Sequence, residues 1–170
     1  MNENNSGVVF EIFYTQGIPA ATNMPLAFYE GAEGTDQKDN FGLFGGLASG
    51  FNEYGDLWKY DPATNLWTWM KGTGIINGAG VWGTQGVPNA ANRPSARAWG
   101  VANWIDSNGD LWLYGGNAYN GVMNDLWKYN IATNMWTWVH GSNTPGQNGV
   151  YGTCLLYTSP SPRDSTISRI

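Results

Sequence analysis

The sequence predicts an all-β fold made of about two four-stranded units in tandem, on three observations. First, the stretch "DLWKYDPATNLWTWMKG" (Asp56–Gly72) returns as "DLWKYNIATNMWTWVHG" (Asp125–Gly141), identical at 12 of 17 positions. Self-similarity at a fixed period marks stacked supersecondary units, none of which can bury its faces alone. Second, aromatic residues make up 15% of the chain, with ten tryptophans and 24 glycines, against 12% charged residues. That is too aromatic for a disordered chain and lacks the Ala/Glu/Leu/Lys richness of helical proteins. Third, short apolar runs alternate with dense turn signals, the pattern of strands.

The spacing from Asp56 to Asp125 sets a period of 69. "TQGIPAATNMP" (Thr15–Pro25) meets "TQGVPNAANRP" (Thr84–Pro94), and "GVWGT" (Gly80–Thr84) meets "GVYGT" (Gly149–Thr153), at the same offset. "LFGG" (Leu43–Gly46) meets "LYGG" (Leu113–Gly116) at an offset of 70, so a one-residue gap lies between. The second copy defines the strands: Ala98–Ile105 up to the turn "DSNG", then Leu111–Tyr114, Asp125–Tyr129 and Met135–Val139. Alternation sets Leu126 and Lys128 against Trp127 and Tyr129, and in Trp-Thr-Trp both indoles share a face with Thr137 opposite. The turn "DPATN" suits a tight connection, with Pro62 presetting φ and Asn65 tolerating a left-handed conformation. A four-stranded unit repeated in this way reads as the blades of a β-propeller.

A Gly-Gly pair, then a tyrosine, then a tryptophan seven positions on occurs twice: Gly45, Gly46, Tyr60, Trp67 and Gly115, Gly116, Tyr129, Trp136. The pattern resembles the kelch repeat, in particular bacterial kelch and galactose-oxidase central-domain-like repeats carrying "NDLWKYDPATNxWTW". The resemblance covers roughly residues 7 to 153. It implies a kelch-type β-propeller fragment of about two four-stranded blades, with the neighbouring blades outside this chain, since propellers close with about four to eight. Such propellers serve as scaffolds and binding modules and, less often, as enzymes. Galactose-oxidase-type enzymes use copper held by two His and two Tyr, with one Tyr crosslinked to a Cys. Here there is one His, His140, and one Cys, Cys154.

The chain divides at residue 153. Residues 1–153 form the incomplete propeller. From 154 to 170 the period breaks, and "CLLYTSPSPRD" (Cys154–Asp164) resembles, over eleven consecutive residues, the conceptual translation of a transposon-based sequencing adapter. Non-native segments of this kind are set aside in fold reasoning, and the natural chain is expected to continue with further units. Without the tail, six basic and twelve acidic groups remain, net −6. The first copy also departs from the second between residues 26 and 42. Gly42 stands for Trp112, Gly34 and Thr35 lie near the place of Trp104, and Phe28 stands opposite Arg97.

Several function classes are disfavoured. The net charge is −5 with no Lys/Arg cluster, which argues against nucleic acid as a partner. No apolar run approaches the roughly 20 residues of a membrane span, and Met1 does not open a basic-then-apolar leader. "DSNGD" (Asp106–Asp110) starts like a calcium loop, but Leu111 and Asn117 stand where an EF-hand needs Gly and Glu. His140 lacks a partner for metal binding, and no cofactor is expected. Glu11, Glu30, Glu33 and Glu53 belong to the first copy only, so no acid/base pair for glycoside hydrolysis can be assigned from them.

The expected role is noncovalent binding of a glycan or a protein by a larger bacterial protein, secreted or at the cell surface. The long segments Gly72–Arg97 and Gly141–Thr153 are the expected recognition loops. The alternatives are a carbohydrate-active propeller enzyme, such as a copper radical oxidase or a sugar epimerase, and a structural repeat of a surface adhesin. Trp58, Trp67, Trp69, Trp127, Trp136 and Trp138 are expected to fill the space between units. Trp82, Trp99 and Tyr119, outside the repeated core, are the candidates for stacking on a ligand.

Overall fold

The structure, a computed structural model, describes residues 15–152. Glu11 and the segment 154–170, with Cys154, lie outside the described residues. The described residues form twelve strands and no helix. The first sheet is antiparallel and contains β1 (Pro19–Ala20), β2 (Ala32–Thr35), β3 (Phe41–Ala48), β4 (Asn52–Asp61) and β5 (Leu66–Lys71), in the order β1-β5-β4-β3-β2. A small sheet joins β6 (Arg97–Ala98), β9 (Asn117–Ala118) and β10 (Gly121–Val122), in the order β10-β9-β6. The remaining sheet contains β7 (Ala102–Ile105), β8 (Leu111–Tyr114), β11 (Leu126–Asn130) and β12 (Met135–His140), in the order β12-β11-β8-β7. β2 to β5 and β7, β8, β11 and β12 are repeat-related and share one strand order.

The repeated phrase closes the same hairpin twice. Asn65 and Asn134 adopt φ of 58° and 55°, the left-handed conformation that asparagine tolerates. The Tyr60 hydroxyl donates to Asn65 Oδ1 at 2.6 Å, and the Tyr129 hydroxyl to Asn134 Oδ1 at 2.7 Å. The motif tyrosine therefore ties strand to turn as well as filling space. The glycine pairs serve close approach. Gly45 has φ 66°, and a Cβ there would lie 2.6 Å from the Arg97 carbonyl oxygen.

The expected strand Ala98–Ile105 is two strands. Arg97–Ala98 pairs with Asn117–Ala118, Trp99 and Gly100 then take φ of 46° and 69°, and the chain re-enters a different sheet at Ala102. Two successive left-handed residues cannot continue an extended ladder. β9 and β10 were not expected from the sequence.

Residues 85–92, within the expected recognition loop Gly72–Arg97, lie along β12. The Gly86 amide donates to the Trp138 carbonyl at 2.8 Å. Asn92 Nδ2 donates to the carbonyls of Val87 and Trp136 at 3.0 and 3.1 Å. The first copy repeats this along β5. Gly17 N donates to the Trp69 carbonyl at 2.8 Å, and Asn23 Nδ2 to the carbonyls of Ile18 and Trp67 at 2.8 and 2.9 Å. Each strap covers an edge strand whose unpaired peptide groups would otherwise invite foreign strands.

The core lies between the two repeats. Ala32, Phe44 and Leu57 of the first sheet pack with Leu113, Trp127, Tyr129 and Trp136 of the second. The Trp136 ring meets Phe44 edge-on at 5.6 Å, Trp127 edge-on at 6.2 Å and Tyr129 at 5.0 Å. Offset and edge contacts of this kind are the favoured aromatic geometries. Trp67, Trp69 and Trp138 are half-buried, whereas Trp58, Trp127 and Trp136 are buried. The departure of the first copy is a paired one: Gly34 faces Gly42 across β2 and β3, where the second copy has Trp104 facing Trp112, stacked at 5.5 Å.

Candidate functional site

Arg97 and Asp125 form a fully buried ion pair. Arg97 Nη1 donates to Asp125 Oδ1 at 2.6 Å and Nη2 to Oδ2 at 2.9 Å. Its remaining donors reach the Gly115 carbonyl, the Ser95 carbonyl and the Ser95 hydroxyl. Asp125 Oδ2 also accepts the indole N–H groups of Trp127 at 2.7 Å and Trp82 at 3.1 Å. A buried pair is tolerable when its other donors and acceptors are also satisfied, and here they are. Trp82 belongs to this cluster: half-buried, its nitrogen engaged by Asp125, its ring 6.1 Å from Trp127.

In the first copy Phe28 replaces the arginine, but the aspartate remains. Asp56 accepts Trp69 Nε1 at 3.2 Å and the Gly74 amide at 2.9 Å. Burial pushes its carboxyl above the ordinary aspartate value, against those hydrogen bonds. This is the expected response of a desolvated carboxylate without a cation.

Trp99 and Tyr119 lie elsewhere, and together. Trp99 follows β6 and Tyr119 links β9 to β10, and the Asn117 amide donates to the Trp99 carbonyl at 3.1 Å. The sequence reading missed a third ring, Phe51, in the β3–β4 turn. It is exposed and 6.3 Å from the Trp99 ring. Phe51 has φ 60° and Trp99 φ 46°, a conformation that costs a bulky residue roughly 1–2 kcal/mol. The position of Trp99 is left-handed in the first copy too, at Glu30 with φ 57°, so the backbone shape is common to both copies and the aromatic ring is not. The signal available in the sequence was that Phe51 aligns with Asn120.

Glu53, in β4, reaches the backbone of the β9–β10 turn. Its backbone is held from both sides by Asn77, whose amide donates to the Glu53 carbonyl at 2.8 Å and whose Oδ1 accepts the Glu53 amide at 3.0 Å. Its carboxylate accepts the Tyr119 amide and lies 3.5 Å from Asn117 Nδ2 through Oε1. Oε2 is buried and has no hydrogen-bond partner among the described residues. Burial raises the carboxyl above its ordinary value of 4.5, opposed by the Tyr119 amide and the Arg97 charge. A carboxyl raised on folding favours the neutral folded form, so its contribution to stability is lost as pH climbs from the ordinary carboxylate range through the raised folded value. Glu53→Gln should therefore lose less thermal stability than the parent between mildly acidic and neutral pH. Parallel melting curves across that range check this, and equal slopes for the two proteins would contradict it.

The other candidate groups are engaged in turns or exposed. Asp106 Oδ1 accepts the amides of Asn108 and Asp110, and Oδ2 accepts Trp112 Nε1 at 2.8 Å. The Trp112 hydrogen bond leads in holding the Asp106 carboxyl below its ordinary value. Asp110 pairs with Lys128 at 2.7 Å. Asp36 makes the same turn in the first copy, accepting the amides of Lys38 and Asn40. His140 is exposed, its Nδ1 accepting the Gly141 amide at 2.7 Å. Glu30 and Glu33 are exposed. Among the described residues no three His, Cys, Asp or Glu side chains are grouped to hold a metal ion, and no helix is long and apolar enough to cross a membrane. No protein-family model and no curated protein matches the chain.

Proposed function

We propose that this chain is part of a kelch-type β-propeller and acts as a noncovalent binding module, with a glycan as its ligand. The blade reading is supported by the two repeat-related sheets, which share a strand order, a hairpin turn and an edge strap. The resemblance of the repeat to bacterial kelch proteins supports a secreted or cell-surface setting within a larger protein. The observation that carries the binding role is the Phe51–Trp99 pair. Both rings are exposed and in contact, and both are held in left-handed backbone, which disfavours bulky side chains. Strain concentrated in exposed side chains is characteristic of sites under functional demand. Aromatic faces suit the apolar faces of sugar rings, and Tyr119, in the β9–β10 turn, is exposed as well.

The test is isothermal titration of the protein with a panel of soluble oligosaccharides, repeated on Trp99→Asn. Retention of at least one saccharide is expected, with affinity reduced at least tenfold in the variant. The same substitution should leave the fold intact and raise its stability by about 1 kcal/mol, because Asn tolerates the left-handed conformation. A panel with no binder, or a binder indifferent to Trp99, would count against the proposal.

A further inference from the structure

We infer that Glu53 is the positioning residue of the aromatic surface, its carboxylate fixing the backbone of Trp99 and Tyr119 in the second copy relative to Phe51 in the first. This deepens the binding reading of that surface and rests on it. Phe51 stands two residues before Glu53, at the entry to β4, so the two share one stretch of backbone. Asn77 clamps that stretch, donating its amide to the Glu53 carbonyl at 2.8 Å and accepting the Glu53 amide on Oδ1 at 3.0 Å. From this fixed base the side chain crosses to the second copy. The carboxylate accepts the Tyr119 amide, and Asn117 Nδ2 lies 3.5 Å from Oε1. The Asn117 amide in turn donates to the Trp99 carbonyl at 3.1 Å. One carboxylate thus reaches the Tyr119 peptide directly and the Trp99 peptide through a single residue.

A carboxylate is a costly choice for this place. Glu53 is 3% exposed, and Oε2 has no hydrogen-bond partner among the described residues. Burial works against the charged form. The repeat itself does not require an acid here, since Val122 stands at the equivalent position of the second copy. A charge kept at the expense of stability points to a demand other than folding. The contacts show what the charge supplies. An amide bonded to a carboxylate is held about twice as strongly as one bonded to a neutral group, so protonation loosens the Tyr119 turn and the ring arrangement with it. Around the carboxylate, Arg97 of β6 favours the charged form and is itself paired with Asp125. Tyr119 is the titratable side chain of the β9–β10 turn. β3, which pairs with Glu53 at Leu47, and the segment around Asn77 carry none. The charged form is the one that holds the rings, so ligand affinity should rise as pH climbs through the Glu53 midpoint.

NMR of the full chain, taken down from neutral pH until the Glu53 carboxyl carbon has titrated, tests this. In the parent the Tyr119 amide and the Trp99 indole N–H should shift with the same midpoint as that carbon. In Glu53→Gln both should stay level across it. The Trp82 indole, bound to Asp125, is the internal control and should not follow. A saccharide of the panel that binds the parent should bind about tenfold more weakly one pH unit below the midpoint, because the competent fraction falls to about a tenth, and Glu53→Gln should show no such step. A Trp99 indole that stays still while the Glu53 carboxyl titrates, or one that shifts equally in Glu53→Gln, would overturn the inference, and the first of these is read on the parent alone. The resonances are followed without ligand. A panel with no binder would therefore count against the glycan reading alone, and a Trp99 that ignores Glu53 against this inference alone.

Discussion

Arg97→Met is expected to destabilise the protein by about 3–5 kcal/mol, because it strands a buried carboxylate. Methionine fills most of the volume but none of the charge. Asp125 would keep the indole N–H groups of Trp82 and Trp127 and lose two charged hydrogen bonds. The Gly115 carbonyl and the Ser95 groups would lose their donors as well. The protein contains its own comparison. Asp56 has lived with Phe28 in the place of the arginine, and its raised carboxyl is already shifted toward the neutral form. Asp56→Asn should therefore cost no more than about 1 kcal/mol, the worth of an ordinary hydrogen bond, whereas Asp125→Asn should approach the cost of the arginine variant. Urea denaturation at neutral pH measures all three. A loss at Arg97 below about 1 kcal/mol would mean that the pair behaves like an exposed one and that water reaches it.

How much of this was legible in the sequence depends on the range of the interaction. The 69-residue period gave strand identity, hairpin register and the burial of Trp127 and Trp136, because these follow from local alternation copied twice. The left-handed Asn65 and Asn134 followed from turn chemistry within five residues. The Arg97–Asp125 pair joins residues 28 apart, and no periodicity encodes it. The only trace was that Arg97 and Phe28 disagree between copies. The Phe51–Trp99 contact was hidden for the same reason, since it joins one copy to the other. The strand break at Trp99–Gly100 was misread because tryptophan is a strand former by preference, and the left-handed demand there comes from the tertiary path of the chain. Trp82 was grouped with Trp99 as a residue outside the repeated core. Its place is set instead by a carboxylate 43 positions away.

Trp136→Ala is expected to cost about 3–5 kcal/mol, the range for deleting a buried aromatic, and its effect should cross the repeat boundary. The Trp136 ring is fully buried and touches Trp127 and Tyr129 of its own sheet and Phe44 of the other. Its backbone carbonyl also accepts the strap side chain of Asn92. Removing the ring opens a cavity in the one place where the two sheets share a core, and neither sheet can bury its face alone.

The most direct measurement is residue-resolved amide hydrogen exchange on the parent and on Trp136→Ala. If the two repeats are one folding unit built across a common core, protection should fall by a similar factor in β3 and β4 as in β11 and β12. Loss of protection confined to β11 and β12, with β3 and β4 unchanged, would contradict that claim and mean that each repeat holds its fold alone.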